Sequence, residues 1–200
     1  MDTGSPAGDG NEYVARARAL APQIEACADQ IEQERRLAPP VLDALHAAGM
    51  FRLLLPRSLD GSEVDPATFA AVIEEIAKAD ASTAWCTCQA SGCSMSAAYL
   101  PPDVAMEVFG RDPRAVLAWG PGPGARAVAV EGGYRVTGTW SFASGCRHAT
   151  WLGGHCPISE PDGSPRRNGD GKRVERTMLF RASSAQIVDV WHVSGLKGTG

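Results

Sequence analysis

The sequence predicts an α+β protein: an N-terminal all-α helical domain followed by a middle antiparallel β-barrel-like domain. Three observations carry this. Apolar residues recur at three- and four-residue spacing through the first half, short Val-, Trp-, Phe- and Thr-rich runs follow from about residue 114, and Gly, Pro and Asp turns separate those runs. Helices first and strands afterwards is the order of an α+β fold or of two domains, and it excludes alternating βαβ units. The predicted division is a disordered leader over 1–11, a helical domain over 12–112 and a β-domain over 113–200. A chain of 200 residues that is 44% hydrophobic and 21% charged can bury a core of this kind.

Val14, Ala17, Ala21, Ile24, Ala28 and Ile31 form one apolar stripe, which predicts a long amphipathic helix over 11–36. In "PPVLDALHAAG" the prolines suit a first helical turn and Gly49 suits the stop. "MFRLLLPRSLDG" reads as an apolar, turn-rich connector. Asp65 and Pro66 then supply an N-cap and a first-turn proline for "ATFAAVIEEIAKAD". "ASTAWCTCQASGCSMSAAYL" is so poor in charge that it should be a helix buried on most sides, and Pro101-Pro102-Asp103 opens a short last helix ending at Gly110. Strands are expected in "AVLAWG", "ARAVAVEGGYRVTGTWSFAS", "ATWLGGHCPI", "RTMLFRA" and "AQIVDVWHV", with a hairpin tip at Gly132-Gly133. "SEPDGSPRRNGDGKRVE" reads as an exposed polar loop.

A net charge of -4 and a pI near 5.6 provide no field that attracts phosphates, so nucleic acid is not an expected partner. No apolar run is long enough to span a bilayer and the N-terminus has no signal-peptide pattern, which makes a soluble cytoplasmic protein the expectation. The six cysteines fit no paired C-x-x-C spacing. On a helix Cys86, Gln89 or Ala90, and Cys93 form a small-residue packing stripe, which is preferred to a metal or redox site.

The glycine-rich "GPGPGA" has neither the dinucleotide-binding spacing nor a following helix, and "LKGTG" has its lysine on the wrong side for a phosphate loop. Hydrolytic signatures are absent from the sequence. Of the four histidines, His46 sits on an amphipathic helix as a surface or boundary residue; His148, in "SGCRHATW", admits a structural or a functional role equally. A bound cofactor would supply the reactivity that the chain's own acids and bases do not. "GTWSFASG" suggests which one. As a strand it projects Trp140, Phe142 and Ser144 to one side, two rings and a hydroxyl that suit a flavin's apolar ring system and its hydrogen-bonding edge. On its own such a row is more often core packing.

Taken together, "LDALHAAGMFRLLLPRSLDG", "EIAKADASTAW", "GGYRVTGTWSFASGCRHATW" and "VWHVSGLKGTG" resemble, in order and spacing, the acyl-CoA dehydrogenase superfamily from about residue 12 to the end. The resemblance implies that Phe142 lies against the isoalloxazine of FAD or FMN and that Ser144 donates at its N5 or O4. It makes Trp119, Gly120, Trp140 and Trp191 further lining candidates. A "TEP"-like turn of the dehydrogenases is replaced by "WGPGPGA", and the chain is more similar to the family's flavin-dependent monooxygenases. Those take reduced flavin from a separate reductase and hydroxylate aromatic or polyketide-like substrates. The alternatives are a true acyl-CoA dehydrogenase and a non-catalytic fragment or interaction module. Family members continue into a C-terminal four-helix bundle that carries catalytic groups and most contacts of a homotetramer. This sequence stops at Gly200, so a truncated product, partial sequence or fragment is expected, with no catalytic residue assignable in it.

Overall fold

The computed structural model describes residues 10–200. The predicted leader lies outside the described residues up to residue 9; its last two positions, Gly10 and Asn11, already belong to the first helix.

Helix α1 (Gly10–Glu34) buries Ala17, Ile24 and Ile31, one residue every two turns. Helix α2 (Pro39–Ala47) is followed by Gly49 in the left-handed region at φ 75°, a conformation that favours glycine. The apolar connector forms two short 3-10 turns, Met50–Arg52 and Arg57–Leu59. Helix α3 (Pro66–Ala79) starts where expected, the Asp65 carboxylate accepting the Ala67 and Thr68 amides at 2.9 and 3.1 Å. Asp80 caps helix α4 (Ala81–Ser94) in the same way, accepting from the Thr83 amide at 2.6 Å. The three longer helices pack as neighbours, and Ile24, Ile31, Leu45, Met50, Val72 and Ile76 close the main core among them. Cys86, Ala90 and Cys93 are buried against neighbouring elements, as the packing stripe predicts. The last predicted helix is short, α5 (Pro102–Ala105), and runs into a single π-helical turn at Met106–Gly110.

Strands β1 (Leu117–Gly120), β2 (Arg126–Val130), β3 (Gly133–Thr137), β4 (Trp151–Ser159) and β5 (Glu175–Arg181) form one sheet in the order β1-β4-β2-β3, with β5 on β4. The β2–β3 and β4–β5 pairs are antiparallel, but β4 pairs in parallel with both β1 and β2, so the sheet is mixed where an antiparallel one was predicted. Parallel neighbours require a long crossover, and the segment between β1 and β4 supplies it with the β2–β3 hairpin. The hairpin tip is Glu131-Gly132, one residue earlier than predicted: Val130 pairs with Gly133, and of the two glycines only Gly132 has positive φ.

Two predicted strands are not strands. The segment 138–144 runs as irregular backbone, and Phe142 sits at φ 56°. That residue breaks the alternation which would have kept Trp140, Phe142 and Ser144 on one face. The segment 185–193 has no regular structure, turns tightly where the His192 amide donates to the Val190 carbonyl at 2.9 Å, and pairs with no strand among the described residues, leaving Val188 and Val190 64% and 73% exposed. A strand exists only where a neighbour takes up its backbone N–H and C=O groups, and side-chain pattern alone does not provide one. The polar excursion after β4 is exposed, its tip held by Asn168 Oδ1, which accepts the amides of Asp170 and Lys172.

The helical part and the sheet share a core: Leu55, Cys93, Val108 and Phe109 pack with Leu117 of β1. The C-terminal loop adds a second joint, docking on α1 and α4. No helix among the described residues is long and apolar enough to cross a membrane.

Candidate functional site

The segment 138–147, the inner parts of β4 and β5, and the irregular segment 184–191 line an open cavity of about 1070 Å³. Four residues expected at the site, Trp140, Phe142, Ser144 and Trp191, line it. Phe142 is 71% exposed and meets Trp191 edge to face, with ring centroids 5.8 Å apart at 85°. The Trp191 indole N–H donates to the Leu196 carbonyl at 3.0 Å, which fixes the ring. Two aromatic surfaces thus stand at the cavity without being consumed by the core.

Trp140 is seated more deeply. Its indole crosses β4 at Gly154, where a Cβ would lie 2.4 Å from the ring, and passes Gly122, where a Cβ would lie 2.5 Å away. Its N–H donates to the His155 carbonyl at 3.3 Å, and its ring tilts against Phe180. Packing and lining are therefore both roles of this residue.

Trp119 and Gly120 fall outside the cavity lining. Trp119 packs at the joint with the helices and lies 6.0 Å from the His155 ring. Gly120 has a structural reason to be glycine: a Cβ there would stand 2.0 Å from the Ser141 carbonyl oxygen. The end of β1 does meet the aromatic segment through the backbone, the Ser141 amide donating to the Pro121 carbonyl at 2.9 Å.

Ser144 begins the turn after the irregular segment, next to Gly145 at φ 81°. The Gly145 amide donates to the Thr199 carbonyl at 3.1 Å, tying this turn to the C-terminal loop. Sequence reasoning did not single out four residues found here, Trp85, Arg147, Asp189 and Arg35. Trp85 donates its indole N–H to Ser144 Oγ at 3.0 Å. Arg147, at the cavity wall, pairs with Asp189 at 3.1 Å, and Arg35 pairs with the same carboxylate. The Arg35 hydrogen bond, with Arg147 and His192 nearby, holds the Asp189 carboxyl below the usual range. A tryptophan on an otherwise small-residue helix was the one sequence signal for Trp85; the charged pairs had none.

His148 turns away from this cavity. Its ring packs at 5.6 Å from Phe51, which also stacks near His46 at 4.7 Å, and its Nε2 is buried without a hydrogen-bond partner. Burial lowers both imidazoles to about 4, helped by Arg114 at His46 and by His46 at His148. This geometry assigns His148 to the joint between helices and sheet. Burial raises the Cys86 thiol and pushes Cys93 up to about 12, which keeps both as thiols, and no cluster of metal-ligating side chains occurs among the described residues.

Residues 12–100 match the family model described as Acyl-CoA dehydrogenase, N-terminal domain. The HsaA monooxygenase structure from M. tuberculosis superposes with a TM-score of 0.85 at 31% identity, covering 96% of this chain and 50% of that one. The chain belongs to the acyl-CoA dehydrogenase superfamily. Within this superfamily, the indole-3-acetate monooxygenase of Pseudomonas putida is 33% identical over 93% of the chain and 48% of its own length. The oxygenase component of FADH(2)-dependent resorcinol hydroxylase from Rhizobium sp. is likewise 33% identical, over 93% and 44%. XiaF from Streptomyces sp., solved in complex with FADH2 and glycerol, has a TM-score of 0.87 at 29% identity, covering 96% of this chain and 46% of that one. The chain spans about half the length of the curated relatives it matches. Among these relatives HsaA is described as the oxygenase subunit of a flavin-dependent monooxygenase and the Rhizobium protein as an FADH(2)-dependent hydroxylase component, the branch that the strand and loop substitutions resemble.

Proposed function

We propose that this chain forms part of the flavin site of an oxygenase component in a two-component monooxygenase that hydroxylates an aromatic or polyketide-like substrate. The observation that carries this reading is the cavity with Phe142 and Trp191 exposed at its wall and the Ser144 hydroxyl beside them. A flavin needs a flat apolar cover at its ring system and donors at its N5 and O4 edge, and these residues fit both needs. Phe142 covers the ring, Trp191 closes its edge and Ser144 donates. Trp140, seated across β4, keeps that side dry.

When bound, reduced FMN or FAD supplies two electrons to dioxygen, so that one oxygen atom enters an aromatic C–H bond and the other leaves as water. The chain's own residues bind and orient the flavin, exclude water and offer a hydrogen bond at Ser144 Oγ. A flavin reductase as electron donor and a homotetrameric assembly belong to the same reading.

Titration of FMN and FAD into the purified chain, followed by flavin fluorescence and by melting temperature, tests it. Saturable binding of either flavin with a raised melting temperature is expected; no binding of either overturns the reading for this chain. Bleaching of bound flavin by an acyl-CoA without oxygen would instead mark a dehydrogenase.

A further inference from the structure

We propose that Trp85 is a positioning residue for the Ser144 hydroxyl, aiming its O–H into the cavity from outside it. The inference rests on the reading of that cavity as a flavin site.

The two residues lie 59 positions apart and on different parts of the fold. Trp85 projects from α4, while Ser144 opens the turn that follows the aromatic segment. An indole N–H can only donate, whereas a hydroxyl carries one donor and two acceptor lone pairs. In the 3.0 Å contact the Ser144 oxygen is therefore the acceptor. Its single proton remains free, and the rotation of the hydroxyl is limited to directions away from the indole. Left to itself a serine hydroxyl turns to whichever acceptor is near, its own backbone included.

Both ends of the contact are held. Trp85 is flanked by the buried Ser82, Thr83, Ala84 and Cys86 on a helix capped by Asp80, so its Cα is fixed by the core. Ser144 precedes a turn whose backbone is tied by Gly145 to Thr199 and by Cys146 to Ala143. Core packing does not account for the indole itself, which is 43% exposed on a helix whose buried residues are all small. Trp85 does not line the cavity, whereas Ser144 does. The pair is thus a relay in geometry, with the helix setting the direction in which the loop residue donates.

The test compares wild-type chain, W85F, S144A and the double variant by FMN titration, with the indole N–H resonances followed by NMR. Phenylalanine keeps the ring and removes the donor. Losing one neutral hydrogen bond weakens binding by about two- to tenfold, so W85F and S144A are each expected to weaken FMN binding to that extent, with the double variant no weaker than S144A alone. S144A should move the Trp85 indole N–H resonance, and S144T should restore it. Losses that add, or W85F binding like wild type while S144A is weakened, would overturn the inference and leave the flavin reading standing. A wild-type chain that does not bind FMN or FAD overturns the flavin reading and this inference with it. Should W85F fail to fold, an unmoved indole resonance in S144A overturns the pairing, and a moved one supports it.

Discussion

Gly198 of the C-terminal loop sits directly against Ile31 of α1: a Cβ built on the glycine would lie 2.2 Å from Ile31 Cγ2 and 2.9 Å from Ser82 Cβ. The Gly198 amide donates to Ser82 Oγ at 3.2 Å, and the neighbouring Thr199 carbonyl accepts from Gly145. This contact holds the helices, the C-terminal loop and the Ser144 turn in one arrangement.

Replacement of Gly198 by alanine should therefore destabilise the chain by about 1–3 kcal/mol, the usual range for overpacking a filled site. Thermal unfolding of G198A measures it, and an unchanged melting temperature would mean that the loop does not dock on Ile31.

Stability should fall between about pH 6.5 and pH 4. The unfolded imidazoles of His46 and His148 titrate near 6.5, while in the fold both are lowered to about 4. Within that window the unfolded state binds more protons, so acid favours unfolding, and the stabilisation is fully present only above pH 6.5. For the buried His148 alone the loss is on the order of 3 kcal/mol. Urea midpoints at pH 7 and pH 4.5 should separate in wild type and lie closer together in H148F, which keeps a ring beside Phe51 and removes the proton.

The Trp140 seat predicts an asymmetry between two substitutions. G154A places a methyl group 2.4 Å from the indole on buried β4 and should lower the melting temperature clearly. G163A, on the exposed polar excursion where nothing lies within 4 Å, carries only the strain of a positive φ and should cost less.

Phe142 separates function from folding. Because its ring is exposed, F142A should leave the melting temperature of the flavin-free chain almost unchanged, yet weaken FMN binding by about two- to tenfold through loss of the aromatic contact. An equal fall in stability and no change in affinity would assign the ring to the core instead.

The helices were legible because their signals are local. The Asp65 cap, the Gly49 stop and the stripe of Ala17, Ile24 and Ile31 each act within a few residues of chain, and each stands in the structure. The strands were legible only in part. Val188 and Val190 have the composition of a strand, but no neighbour among the described residues pairs with their segment. Phe142 looked like a residue of an alternating strand and instead takes a left-handed backbone conformation. The same limit applied to the site: the rings and hydroxyl of "GTWSFASG" pointed to a flavin, whereas the partners of Ser144 and Asp189 lie too far away in sequence to be read.

The sequence by itself determined the order of elements, the helical core and the short list of aromatic and hydroxyl candidates, because side-chain period, capping and residue chemistry are properties of neighbouring positions. Only the tertiary structure decided that β4 would pair in parallel with β1 and β2. It also decided that His148 would face Phe51 and not the cavity, and that Trp85 would reach Ser144. Those outcomes depend on which distant surfaces are buried together, and burial is a property of the whole fold.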